Sequence, residues 1–241
     1  MEKRTVLLTT QNHKTVKGEV LGYKTYILYM SPYTFNSKGI NVCSHASVGC
    51  SSACLVGSGM GGMYETVKQA RLKKTEWFLS DRVGFINRLV HEIGVAVKFN
   101  ADKYKVAIRL NGTSDIRWEK FKVGDSGKNI FELFPGVQFY DYTKNYKRYD
   151  SPLPPNYHLT FSRSEVNHDK CMELLDRGVN VAMVFKNTPT EYMGYKVIDG
   201  DKDDIRFIGD KGVIVGLRYK NNTGKGADNK IAYTTGFAIA A

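Results

Sequence analysis

The sequence predicts an α/β fold, either a partial (β/α) barrel or an open parallel sheet with helices, and three observations carry that expectation. Short apolar runs recur from Lys105 onward and each closes in polar residues: KVAIRLNGTSD ends at Asp115, GVQFYDYTK at Lys144, YHLTFSRSE at Glu165, NVAMVFKN at Asn187 and GVIVGLRYK at Lys220. Runs that stay apolar without alternation describe strands buried on both faces, as in a parallel sheet covered by helices. Residues 63–99 carry helical spacing instead, and a polar loop with three of the four cysteines follows the first core strand.

In chain order, residues 1–20 are polar and basic with little periodicity, which reads as an N-terminal arm or hairpin. Tyr23–Met30, YKTYILYM, is dense in β-branched and aromatic residues and stops at Ser31-Pro32, as a buried strand does. Val67, Ala70, Trp77, Phe78, Val83, Phe85, Ile86, Leu89, Val90, Ile93 and Val97 then recur three and four apart, predicting two amphipathic helices, with Ser80-Asp81 capping the second. Lys68, Arg71, Lys73 and Lys74 form a basic patch that reads as a solvated face, and His91 sits on the second helix in a structural role. A short helix is expected over 167–177, closed by Gly178, with Cys171 as a small core residue beside Met172, Leu174 and Leu175. VIDGDKDDIRF lacks the full acidic pattern of a calcium loop and reads as a hairpin turn. No linker or repeat divides the chain, so one α/β domain over 1–241 is expected.

The loop from Asn41 to Gly62 is hard to explain by packing, because its apolar residues are isolated among serines and glycines. Cys43, Cys50 and Cys54 give C-x6-C-x3-C, three thiolates without a fourth, which suits a [4Fe-4S] cluster with one iron open to a small ligand. Zinc is the alternative, with His45 completing four tetrahedral ligands, and three unbound thiols are the third reading. Strand ends supply further polar groups. Asn111, Thr113 and Asp115 alternate and so face one way on an extended chain, and Asp141, Ser162 and Glu165 take matching places on later strands. Asn111, Thr113 and Ser162 are the candidate cofactor-binding residues, and Asp115, Asp141 and Glu165 the candidate catalytic ones. His158 opens a strand as a core histidine or a catalytic one.

Lysine and arginine number 35 against 24 acidic residues, a formal charge of +11, which favours a polyanionic partner such as nucleic acid or a phosphorylated small molecule. The first thirty residues lack an apolar run of the leader type, and no stretch approaches a membrane span, so a cytoplasmic protein without a membrane partner is expected, in the host cell if viral. Clustered cysteines in such a reducing compartment fit metal binding better than disulfides.

A strand, a three-cysteine loop, a helix and further β/α units together resemble the layout of the radical S-adenosylmethionine enzymes, partial barrels whose first-strand loop carries the cluster. Gly212–Gly216, GVIVG, resembles their late-strand G-x-I-x-G beside adenine. The resemblance implies that S-adenosylmethionine fills the open iron, although the cysteine spacing departs from that family's C-x3-C-x2-C. SPYTFNSKG, RLNGTSD, FYDYTK, LTFSRSE and VIDGD resemble bacteriophage proteins related to those named gene product 88, a likeness that carries no activity with it. Three functions remain open. One is a [4Fe-4S] enzyme of the radical S-adenosylmethionine type acting on a nucleic acid or phosphorylated substrate. Another is a nucleic-acid-binding module stapled by zinc or a cluster, and the third a metal-dependent nuclease using Asp115, Asp141 and Glu165.

Overall fold

The structure, a computed structural model, describes residues 5–10, 13–54, 64–219 and 231–240. The later half of the cysteine-rich loop, 55–63, and the polar tail at Lys220 lie outside the described residues. Every apolar run read as a strand is one: β2 (Tyr23–Leu28), β3 (Lys105–Arg109), β4 (Gln138–Thr143), β5 (Tyr157–Ser162), β6 (Val181–Phe185) and β9 (Ile214–Arg218). Four shorter or more polar strands join them: β1 (Leu8–Thr9), β7 (Glu191–Tyr192), β8 (Tyr195–Asp199) and β10 (Ala238–Ile239).

The order is β1-β2-β3-β4-β5-β6-β9-β8-β7, with β10 paired to β6. Pairs β2–β3, β3–β4, β5–β6, β6–β9, β8–β9 and β6–β10 are parallel, whereas β1–β2 and β7–β8 are antiparallel. Among the described residues no ladder joins β1 to β7, so of the two expected architectures the open sheet is the one formed. No helix among the described residues is long and apolar enough to cross a membrane.

The chain groups into two compact units interleaved in sequence. One comprises Met1–Cys43, Gln69–Asp141 and Pro152–His158, the other Ser44–Lys68, Tyr142–Ser151 and Leu159–Ala241. In the first unit the N-terminal arm is a strand and a helix rather than a hairpin of its own. β1 lies antiparallel on β2, Leu8 opposite Leu28, and α1 (His13–Gly18) makes the return, with Gly22 at φ 80° turning the chain into β2. Glu92 fixes the arm by accepting from the N–H groups of Leu7 and Leu8 at 3.0 and 2.9 Å. The predicted helix pair is α3 (Glu65–Ser80) and α4 (Arg82–Asn100), which buries Phe85, Ile86, Leu89, Ile93 and Ala96. Asp81 caps α4 through the Gly84 N–H at 2.9 Å. Phe78, Phe85, Trp118 and Phe121 pack their rings together over this unit's core, with centroids 5.4–6.4 Å apart.

The basic patch on α3 is not uniformly solvated. Lys74 is buried, its ammonium donating to the Leu7 carbonyl at 2.8 Å, and the Arg71 guanidinium lies 5.1 Å over the Tyr29 ring. The Lys74 stem reaches from the helix to the arm and Arg71 lies on an aromatic face, which charge alone does not foretell. His91 is exposed on α4.

In the second unit Phe161, Cys171, Leu174, Leu175, Val181, Met183, Phe185 and Ile214 form the core. The expected helix is α5 (His168–Asp176), closed by Gly178 at φ 79°. The acidic stretch at 199–204 is not a hairpin turn. β8 ends there and runs parallel to β9, so the segment is a crossover, while the hairpin lies one turn earlier at Met193-Gly194, both at positive φ. Buried Arg206 organises the crossover, bonding the carbonyls of Gly200 and Asp203 and the Tyr142 hydroxyl.

Candidate functional site

Two polar clusters hold the sequence candidates, one in each unit. In the first, buried Asn111 follows β3 and buried Asp141 lies in β4. Asp141 accepts from the Asn111 backbone N–H at 2.7 Å, the Asn111 amide at 3.2 Å and the Tyr157 hydroxyl at 2.9 Å. The Asn111 side-chain Oδ1 accepts in turn from Ser114 Oγ, the Ile116 N–H and Trp118 Nε1, at 2.9–3.1 Å. Both side chains are thereby committed to shaping the turn after β3. Gly112 completes that turn, since a Cβ there would meet Ile27 Cγ2 at 2.6 Å and the Leu28 carbonyl at 2.8 Å.

Thr113 is also committed, donating to the Met30 carbonyl and accepting from the Met30 N–H at 3.1 Å. Its own carbonyl accepts from the Cys43 thiol at 3.3 Å, and the Cys43 N–H donates to Asn41 Oδ1 at 2.7 Å. Half-exposed Asp115 joins through its backbone, donating to the Val42 carbonyl at 2.9 Å. The segment 111–115 thus cradles Asn41–Cys43 within this unit.

The second cluster is built around α2 (Val48–Ser52), which carries Cys50. Ser47 is its N-cap, accepting from the Cys50 N–H at 3.2 Å. Glu165, just beyond β5, accepts from Ser47 Oγ at 2.7 Å and from the Gly49 N–H at 2.6 Å, one bond on each carboxylate oxygen. Burial pushes its carboxyl upward, but the bonds from Gly49 and Ser47 outweigh this and leave it below the usual range. Cys54 follows the helix, its N–H donating to the Ser51 carbonyl at 3.4 Å, and Ala53 between them packs on Ala232 and Ala238. Half-exposed Ser162 ends β5, and its carbonyl accepts from the Asn167 amide at 3.1 Å.

Cys43, Cys50 and Cys54 are half-buried and in no disulfide. Cys171 differs: burial pushes its thiol up to about 12, against the opposing charges of Arg163 and Lys144. Cys43 belongs to the first unit and Cys50 and Cys54 to the second. Among the described residues no three His, Cys, Asp or Glu side chains stand grouped as a metal would need. Exposed His45 has Nδ1 2.9 Å from Ser44 Oγ. Three soft thiolates nevertheless fit an iron–sulfur cluster in number and kind.

Sequence reasoning missed Ser47, Gly49 and Thr235, which together seat α2 against Glu165. The serine three residues before Cys50 is a local capping signal, whereas Thr235 is tied to Gly49 by nothing nearer than the fold. No curated protein and no solved structure matches the chain. The family model described as Gene product 88 matches residues 5–238, and the chain, with the interleaved units and cysteine loop described above, belongs to that family of phage proteins.

Proposed function

We propose that this protein binds an iron–sulfur cluster through Cys43, Cys50 and Cys54 and uses it as an enzyme of the radical S-adenosylmethionine type, on a nucleic acid or phosphorylated substrate. The observation that carries the reading is the donor set. Three cysteines, none in a disulfide, lie within twelve residues of one polar loop, and polar contacts fix the backbone of two of them, Cys43 through Asn41 and Cys50 through Ser47. The order of the parallel strands adds support, because β2, β3, β4, β5 and β6 are neighbours in chain order and the loop leaves the first of them.

Bound by three cysteines, a [4Fe-4S] cluster supplies electrons and an open iron to which the amino and carboxylate groups of S-adenosylmethionine can bind. The chain's own part is to hold the thiols and exclude water. Asn111, Asp141 and Thr113 serve this as scaffold, because their polar atoms are engaged within the first unit. The same engagement weighs against a nuclease built on Asp115, Asp141 and Glu165, since Asp141 is 1% exposed and accepts three hydrogen bonds within the first unit.

Protein purified without oxygen is expected to be brown and to contain iron and sulfide. Alanine at Cys43, Cys50 or Cys54 should remove the colour, and Cys171→Ala should keep it. Adding S-adenosylmethionine to the reduced protein should change its electron paramagnetic resonance signal. Colourless protein carrying stoichiometric zinc would overturn the cluster and favour a structural site closed by His45.

A further inference from the structure

The helix that presents Cys50 has little of its own to hold it. α2 spans five residues, well under the ~12–15 at which an isolated helix is even marginal in water. Among the described residues its apolar anchor is Ala53, which clusters with Ala232 and Ala238 beside Val184, Tyr219, Tyr233 and Phe237. Its polar contacts are much stronger: the bonds to Glu165 are short and charge-assisted.

The strand end bearing that carboxylate is itself fixed. Asn167 Oδ1 accepts from the Ser164 N–H at 2.7 Å, its amide donates to the Ser162 carbonyl, and Arg163 Nη1 donates to the carbonyls of Gly236 and Phe237 at 2.8 and 3.1 Å. Gly49 lets the helix approach, since a Cβ there would lie 2.7 Å from Thr235 Oγ1 and 2.8 Å from Glu165 Oε2.

We infer that Glu165 is a positioning residue: its carboxylate clamps the helix that carries Cys50 to the end of β5, and the segment 231–239 backs the clamp. That it thereby serves cluster assembly rests on the function proposed above; the clamp itself does not. One donor on each oxygen gives the carboxylate a two-point hold on the start of α2. Glutamine can keep both contacts, its carbonyl accepting from the Gly49 N–H while its amide donates to Ser47 Oγ. Alanine can keep neither.

The test reads thiol alkylation by iodoacetamide in metal-free full-length protein, residue by residue, by mass spectrometry. Glu165→Ala is expected to speed modification of Cys50 roughly tenfold, the order of a lost charge-assisted bond. Glu165→Gln should stay within about twofold of wild type, and buried Cys171 should remain unreactive in both. If the alanine variant does not fold, Glu165→Asp, one methylene too short to hold both Ser47 Oγ and the Gly49 N–H, should still speed Cys50 by at least about threefold. An acceleration below about threefold in whichever variant folds overturns the clamp, as does an equal acceleration at Cys43, which would mark general loosening. A failed cluster leaves these rates standing, and unchanged rates leave the cluster spectrum standing. If both readings hold, Glu165→Ala takes up less iron and Glu165→Gln restores it.

Discussion

At Lys74 a full charge is carried into a site 5% exposed. Burial lowers its pKa to about 8, with Glu92 opposing the shift and Arg71 adding to it. Unfolded, the same lysine titrates near 10.5, so between those values the unfolded chain holds the extra proton and folding stability rises with pH; below about 8 the contribution is flat. Denaturant titrations should show wild type gaining about 1–3 kcal/mol on Lys74→Met between pH 8 and 10, from 1.36 kcal/mol per unit. A constant difference would refute the assignment. Lys74 was illegible in the sequence because a lysine among lysines reads as solvated, and only the Leu7 carbonyl opposite shows otherwise. Cys171 was legible for the converse reason: its apolar neighbours at helical spacing mark a core position, and Leu174 and Leu175 share its cluster.

The elements best foreseen are those whose signals are local. Asp81 stands between two periodic helical stretches and caps the second through the Gly84 N–H. Asp81→Ala should therefore cost about 1 kcal/mol. Gly84→Ala should cost a similar amount by a different route, because its Cβ would fall 2.0 Å from Asp81 Oδ2 and displace the cap. Urea midpoints measure both, and an unchanged Asp81→Ala midpoint would show that the cap contributes nothing. The hairpin was misplaced because β8 is half-exposed and polar, so its end at Asp199 looks like a turn between edge strands. Its parallel pairing with β9 depends on residues beyond that turn. Met193-Gly194 escaped notice because methionine at φ 54° is not a turn residue by type; the strands around it impose the conformation.

Across the whole chain, composition fixes charge without fixing what meets it. If the excess of +11 engages a polyanion, affinity for single-stranded oligonucleotides should fall by orders of magnitude between 50 and 200 mM salt, log against log. Binding that ignores salt would leave the lysines a solubilising role. The sheet was legible because each buried strand announces itself in an unbroken apolar run. The grouping of the chain into two interleaved units was not, because it depends on contacts between distant segments. The same holds for the partner of the cysteine helix, since Glu165 lies 116 positions beyond Gly49. One consequence of the strand order concerns time. β6 takes β9 along one edge, while β5 occupies the start of the other at Val181 and Ala182 and β10 its end at Val184 and Phe185. The seat of the cysteine helix therefore cannot be complete on the ribosome until Ala238 has emerged. At about 5–20 residues per second the wait for Glu165 alone is roughly 6 to 23 s. During that interval Cys50 is borne by a chain still being made, in which its helix has no carboxylate to hold it.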